Sequence, residues 1–162
     1  MMNKHVTFIN IAKELALQSK CVSLNVGCIA VNSRGRIIGS GVNGTISGSK
    51  NCCDVHKDRG PEHTEWSDKY EIHAEMNCIL EMAKGSTTAK ELTFYTSVSP
   101  CFNCLKHMMG MKSAGEIDVF AIIYAEQYYR TPDSVIAEQK AFCNEFGVLL
   151  ASINEVTNHN RV

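Results

Sequence analysis

Ser99-Pro100-Cys101-Phe102-Asn103-Cys104, read with His73-Ala74-Glu75, gathers the residue types that hold and use a transition metal. Two cysteines three apart turn both sulfurs toward one ion from the first turn of a helix. Pro100 suits a helix start, because its missing N–H costs nothing there and its φ is already helical. His73 adds an imidazole, and Glu75 adds a carboxylate two residues on. One histidine and two cysteines give Zn²⁺ three protein ligands and leave a fourth tetrahedral position for water, the geometry of a catalytic centre. Two thiolates neutralise the ion, so it must share the ionisation of its water with a base, and Glu75 is the candidate. A lone C-x-x-C is weak evidence, whereas the full set in this order is specific. The competing reading is a closed zinc staple with Glu75 merely exposed; it needs a fourth ligand, and none sits at a suitable spacing in this cluster.

The elements that position these residues follow from periodicity. Phe8, Ile9, Ala12, Leu15 and Ala16 predict an amphipathic helix over His5–Ser19. Val26–Val31 and Arg36–Val42 flank the turn residues Asn32–Gly35 and predict a hairpin. From Thr45 to about Tyr70 the pattern dissolves into a polar stretch, and so long a structureless loop needs pinning. A helix is predicted from His73 to near Gly85, burying Met76, Ile79, Leu80 and Ala83. Leu92–Thr96 reads as a strand, and the helix from Cys101 buries Leu105, Met108 and Met109 before Gly115. Asp118–Tyr124 is a strand apolar enough to be buried on both faces. A last helix spans Val135 to Phe146 after Thr131-Pro132, Gly147–Leu150 is a final strand, and the tail from Asn154 frays. Both metal-bearing segments then lie at helix N-termini, whose partial positive charge favours thiolate. The order predicts one α/β domain over residues 1–162, a three-layer α/β/α sandwich around a five-stranded mixed sheet.

Composition narrows the setting. Of 162 residues, 16 are basic and 17 acidic, so no basic surplus points to a nucleic-acid partner. No apolar run reaches transmembrane length and nothing at the start reads as a signal segment, so no membrane partner is expected. Eight cysteines are then expected as reduced thiols, several of them metal-bound, in a cytoplasmic protein.

On these motifs the chain resembles the deoxycytidylate deaminases, most closely the phage type, within the zinc-dependent cytidine and deoxycytidylate deaminase superfamily. His73-Ala74-Glu75 and Pro100-Cys101-Phe102-Asn103-Cys104 match the H-x-E…P-C-x-x-C signature of zinc deaminases. Val26-Gly27-Cys28-Ile29 matches the first-strand motif, and Gly41-Val42-Asn43-Gly44 matches G-Y-N-G with Val for Tyr. The resemblance spans nearly the whole chain. It implies hydrolytic deamination of dCMP to dUMP with release of ammonia, feeding thymidylate synthesis, in the host cytoplasm if the gene is a phage's. It also implies Asn43 and the backbone of Ala74 as substrate contacts, a homohexamer, activation by dCTP and inhibition by dTTP, with Mg²⁺ accompanying an effector. Ile46 stands at the proline of the family's N-G-x-P-x-G loop.

The resemblance further implies a structural zinc with one ligand from each of four segments: Cys21, Cys52, His63 and Glu71. Two thiolates, an imidazole and a carboxylate close a tetrahedron without water and would pin the polar loop. Cys53 and His56 are near alternatives, and Cys28, Cys78 and Cys143 sit on apolar faces as core. Tyr124 is a candidate for stacking on the base, with a buried strand tyrosine as the equal alternative. Arg130, Lys20, Ser23 and Asn25 are candidate phosphate contacts. Two further functions use the same motifs: deamination of dCTP or of a tRNA or polynucleotide base, and a zinc-stapled binding module. The polynucleotide reading asks for a basic face with stacking aromatics, and the binding module has no use for an open ligand position beside Glu75.

Overall fold

The computed structural model describes residues 3–85, 90–115 and 117–158. Helix α1 (Lys4–Ala16) starts at Asn3, whose side chain accepts the His5 N–H, and buries Ile9, Ala12 and Ala16. Strands β1 (Gly27–Asn32) and β2 (Ile37–Val42) form the predicted hairpin, with Gly35 at φ 73° in the turn. A short ribbon strand β3 (Gly44–Thr45) follows, then helices α2 (Cys52–Val55) and α3 (Pro61–Tyr70). Strand β4 (Glu71–Ile72) pairs with β3 and leads directly into helix α4 (Ala74–Lys84). Strand β5 (Glu91–Val98), helix α5 (Phe102–Ser113) and strand β6 (Asp118–Glu126) come next. Helix α6 (Asp133–Glu145), strand β7 (Leu149–Ser152) and helix α7 (Ile153–Asn158) complete the described chain.

The main sheet has the order β2-β1-β5-β6-β7, antiparallel across β2, β1 and β5 and parallel across β5, β6 and β7. Alternation along the strands divides the core between its faces. Ile29, Val31, Tyr95 and Ile123 pack with Ile9 under α1 and α7. Cys28, Ala30, Phe94, Ile122 and Tyr124 pack with residues of α4, α5 and α6, among them Cys78, Met82, Leu105, Met108 and Cys143. This is the predicted three-layer α/β/α arrangement around a five-stranded mixed sheet.

Four details differ from expectation. The stretch from Thr45 to Tyr70 is not structureless: it holds β3, α2 and the ten-residue α3. Helix α3 escapes a periodicity search because its one buried residue is His63, not an aliphatic stripe. The buried side of α4 is Ala74, Cys78 and Met82, while Leu80 and Ala83 face outward. The reason lies in β2, where a Cβ on Gly41 would fall 2.1 Å from the Ala74 carbonyl oxygen and 2.4 Å from the Cys78 nitrogen. Only the small-residue side of α4 can seat its backbone that close to the strand. Pro100 precedes the cap of α5 instead of opening the helix, buried with its carbonyl accepting from Gln139 Nε2 at 3.0 Å. The tail is helical over α7, and residues 159–162 lie outside the described residues.

Candidate metal centres and the cavity between them

His73 and Cys101 are both helix N-caps in extended conformation, His73 at φ −66°, ψ 152° and Cys101 at φ −80°, ψ 163°. Each carbonyl already accepts a helical bond, from Asn77 N–H and Leu105 N–H, so the side chains project from the open ends of α4 and α5. His73 Nδ1 lies 3.5 Å from Cys101 Sγ and 3.4 Å from Cys104 Sγ. A tetrahedral Zn²⁺ with Zn–S of about 2.3 Å and Zn–N of about 2.0 Å separates sulfur from nitrogen by about 3.5 Å, so the donor set fits. The Ser99-Pro100 turn that delivers Cys101 is held from three sides. Ser99 N–H donates to the Glu126 carbonyl at 2.8 Å, Ser99 Oγ accepts the Tyr128 N–H at 2.9 Å, and Gln139 holds Pro100.

The electrostatics of this group are those of shared protons. The hydrogen bond from the Cys104 thiol brings Cys101 down to about 4, with His73 adding to it. Donating that bond, together with burial, pushes Cys104 well above the thiol range. The Cys101 sulfur in turn raises His73 to about 9. A divalent cation competes for the same positions by displacing protons. Glu75, 4% exposed, sits behind them. Burial pushes its carboxyl up, against the pull of its own backbone N–H and of His73.

A second group stands beside the first. One ligand atom each from Cys21, Cys52, His63 and Glu71 lie within 4.8 Å of one another. Cys21 Sγ is 3.8 Å from His63 Nε2 and 3.4 Å from Glu71 Oε2, and these last two are 3.9 Å apart. The Val22 and Ser23 N–H groups donate to the Cys52 and Cys21 sulfurs, and Ser67 Oγ donates to Glu71. Burial pushes the Cys52 thiol up to about 11. The side chains of His63 and Glu71 are 4% and 5% exposed, and Glu71 Oε1 and His63 Nδ1 are buried without partners. Ionised to thiolates, the two cysteines together with the carboxylate would outweigh one imidazole, and a divalent cation would displace the thiol protons and supply the missing positive charge. The alternatives Cys53 and His56 are not in the group. Cys53 is exposed, and the His56 ring instead packs edge-on against His63 and Trp66.

A cavity of about 240 Å³ runs between the two groups. Asn43, Arg59, His63, Glu71, His73, Ala74, Glu75, Cys101 and Tyr128 line it. Asn43 reaches it with both ends of its amide already bonded: Oδ1 accepts the Val26 N–H at 2.7 Å and Nδ2 donates to the Leu24 carbonyl at 2.8 Å. Ala74 lies at the first turn of α4, fully buried. Tyr124 is placed elsewhere: it is buried in β6 and borders a separate cavity with Asp133, Lys140 and Ile136.

The sequence model of the cytidine and deoxycytidylate deaminase zinc-binding region matches residues 2–119. The chain belongs to this family. The deoxycytidylate deaminase of enterobacteria phage T4 is 31% identical over 159 residues, covering 77% of this chain and 79% of the relative. The human deoxycytidylate deaminase is 30% identical over 137 residues, covering 83% and 71%. The structure of the dCMP deaminase of cyanophage S-TIM5 in complex with dCMP and dUMP superposes with a TM-score of 0.70 at 26% identity. It covers 94% of this chain and all of that one.

Three residues of this family member's site escaped the sequence reading. Asn77 Nδ2 donates to the Val42 carbonyl at 2.8 Å, tying α4 to the end of β2 beside Asn43; an amide four residues after His73 was the available signal. Gln139 is 2% exposed, and a glutamine on the apolar stripe of α6 signals a buried hydrogen bond. Arg59 lies in the polar stretch, where no local pattern marks it.

Proposed function

We propose that this chain is a zinc-dependent deaminase that converts dCMP and water to dUMP and ammonia. The observation that carries this is the open trio of His73, Cys101 and Cys104 with the buried, non-ligand Glu75 in one cavity. Zinc held by the trio supplies a water that is nucleophilic at neutral pH. Glu75 would accept the proton this water loses and deliver it to the ring nitrogen beside C4 as the oxygen bonds to C4. It would then take the proton left on that oxygen and give it to the amine as the C4–N bond breaks. The N–H groups at the first turn of α4, beside Ala74, face the pyrimidine edge. Asn43, braced through both amide ends, holds the sugar side of the cavity in shape.

Cys21, Cys52, His63 and Glu71 hold a second, structural zinc in this reading, since four protein donors leave no position for water. Supply of dUMP for thymidylate synthesis, control by dCTP and dTTP with Mg²⁺, and a homohexamer complete it, in the cytoplasm of a host cell. The exposed apolar side chains of Ile37 on edge strand β2, of Ile46 and of Leu80 on α4 support self-association. No described helix is long and apolar enough to cross a membrane. Ammonia release measured across cytidine, dCMP, dCTP and a deoxycytidine oligonucleotide tests the reading. Turnover of dCMP above the others is expected. Preference for the oligonucleotide would assign the site to nucleic acid, and no release from any of them would remove the activity.

A further inference from the structure

Arg59 is the one lysine or arginine among the described residues that line the cavity. It comes from the segment between α2 and α3 and reaches a part of the chain about seventy residues away. Its Nη1 donates to the hydroxyls of Tyr128 at 3.2 Å and Tyr129 at 2.8 Å. The two rings meet edge-on, with centroids 4.9 Å apart at 66°. Tyr128 is itself fastened, through its N–H, to Ser99 Oγ in the turn that delivers Cys101. Among the described residues no carboxylate pairs with Arg59. Its Nη2 and Nε donors find no acceptor among them. A guanidinium at the cavity wall, braced on one nitrogen with its other donors available, is prepared for an anion.

We propose that Arg59 binds the 5′-phosphate of the substrate and thereby makes this a nucleotide site instead of a nucleoside site. The inference rests on the deaminase reading above. With the cytosine ring at His73 and Glu75, the sugar and phosphate must extend along the same cavity. Its other ionisable lining includes the carboxylates of Glu71, Glu75 and Asp68, so a dianionic phosphate needs a cation there. Asp68 is exposed, where solvent and salt screen its repulsion. Arginine matches phosphate geometry through paired N–H donors in a way lysine does not. Of the candidates suggested by sequence, Ser23 lines the cavity but brings no charge, while Lys20, Asn25 and Arg130 are outside the lining, and Arg130 lies over the Tyr129 ring, 5.3 Å from its centroid.

Two zinc-loaded variants, Arg59→Gln and Arg59→Lys, test this against wild type. Calorimetric titrations with dUMP and deoxyuridine are run beside dCMP steady-state kinetics, with zinc content and melting temperature recorded. Arg59→Gln is expected to weaken dUMP by about ten- to a hundredfold, the scale of a lost charge-assisted contact. Deoxyuridine should change by less than about threefold. The loss on dCMP should appear in KM with kcat nearly kept, and Arg59→Lys should recover part of it. Equal weakening of both ligands, an unchanged KM, or a loss confined to kcat would overturn the assignment. A wild type that binds dUMP no better than deoxyuridine would also overturn it while leaving the deaminase reading intact. Failure of that reading shows separately, as no turnover of any cytosine substrate.

Discussion

In the proposed reaction Glu75 must satisfy two opposed conditions: burial beside the reacting atoms, and ionisation to act as a base. Burial raises its pKa above the ordinary carboxyl value of 4.5. The active form is the carboxylate, so kcat/KM for dCMP should fall as pH drops through that raised value, at a higher pH than an exposed glutamate would give. The pH–rate profile checks this, provided zinc content stays constant over the range; an acid limb at or below 4.5 would contradict it. The sign for stability is the reverse. The folded state binds this proton more tightly than the unfolded one, so the group's contribution to stability declines as pH rises above 4.5. The donor trio and the buried glutamate beside it were legible in the sequence because the chemistry proposed for them restricts both residue type and spacing. Tyr124 was not, since strand alternation gives a face of the sheet and not the cavity it borders. Arg59 and Gln139 act across 69 and 39 residues of sequence, and no local pattern encodes such contacts.

Helix α4 is the element on which the site depends, and β2 sets its height. The close approach at Gly41 places the N-terminus of α4, and with it His73 and Glu75, against the sheet. Gly41→Ala should therefore overpack this contact, costing about 1–3 kcal/mol and lowering the melting temperature by several degrees. Activity should drop with it, because the helix end must lift. Thermal melts and dCMP kinetics decide, and unchanged values for both would mean that α4 is not seated in this way. The strands and the long apolar helices were legible from periodicity because they bury continuous faces. Helix α3 was not, because it is pinned through His63 and not by an apolar stripe. The buried face of α4 was misread because the helix carries two apolar stripes, and the glycines across from it, not its own sequence, select one.

At the scale of the whole molecule the two metal groups share one backbone. Glu71 and His73 flank Ile72 in the strand-to-helix step from β4 to α4, and β4 pairs with β3 just after Asn43. Residues two apart on an extended segment share a direction along the chain yet enter different groups here, because the helix turn begins at Ala74. A metal held at Glu71, as proposed, would fix the segment from which His73 and Glu75 project. Wild-type protein should contain about two zinc per chain. His63→Ala should lower that to about one, reduce the melting temperature, and cost ten- to a hundredfold in turnover without touching substrate. Unchanged zinc content, melting and turnover would show that the polar stretch is an independent flap. The most direct measurement is the rate of dUMP formation from dCMP by zinc-loaded wild type beside zinc-loaded Glu75→Gln. The expected result is turnover by wild type and a loss of about 10²–10⁴-fold in the variant, with fold and zinc retained. Equal rates in the two proteins, or no dUMP from wild type, would contradict the assignment of this site.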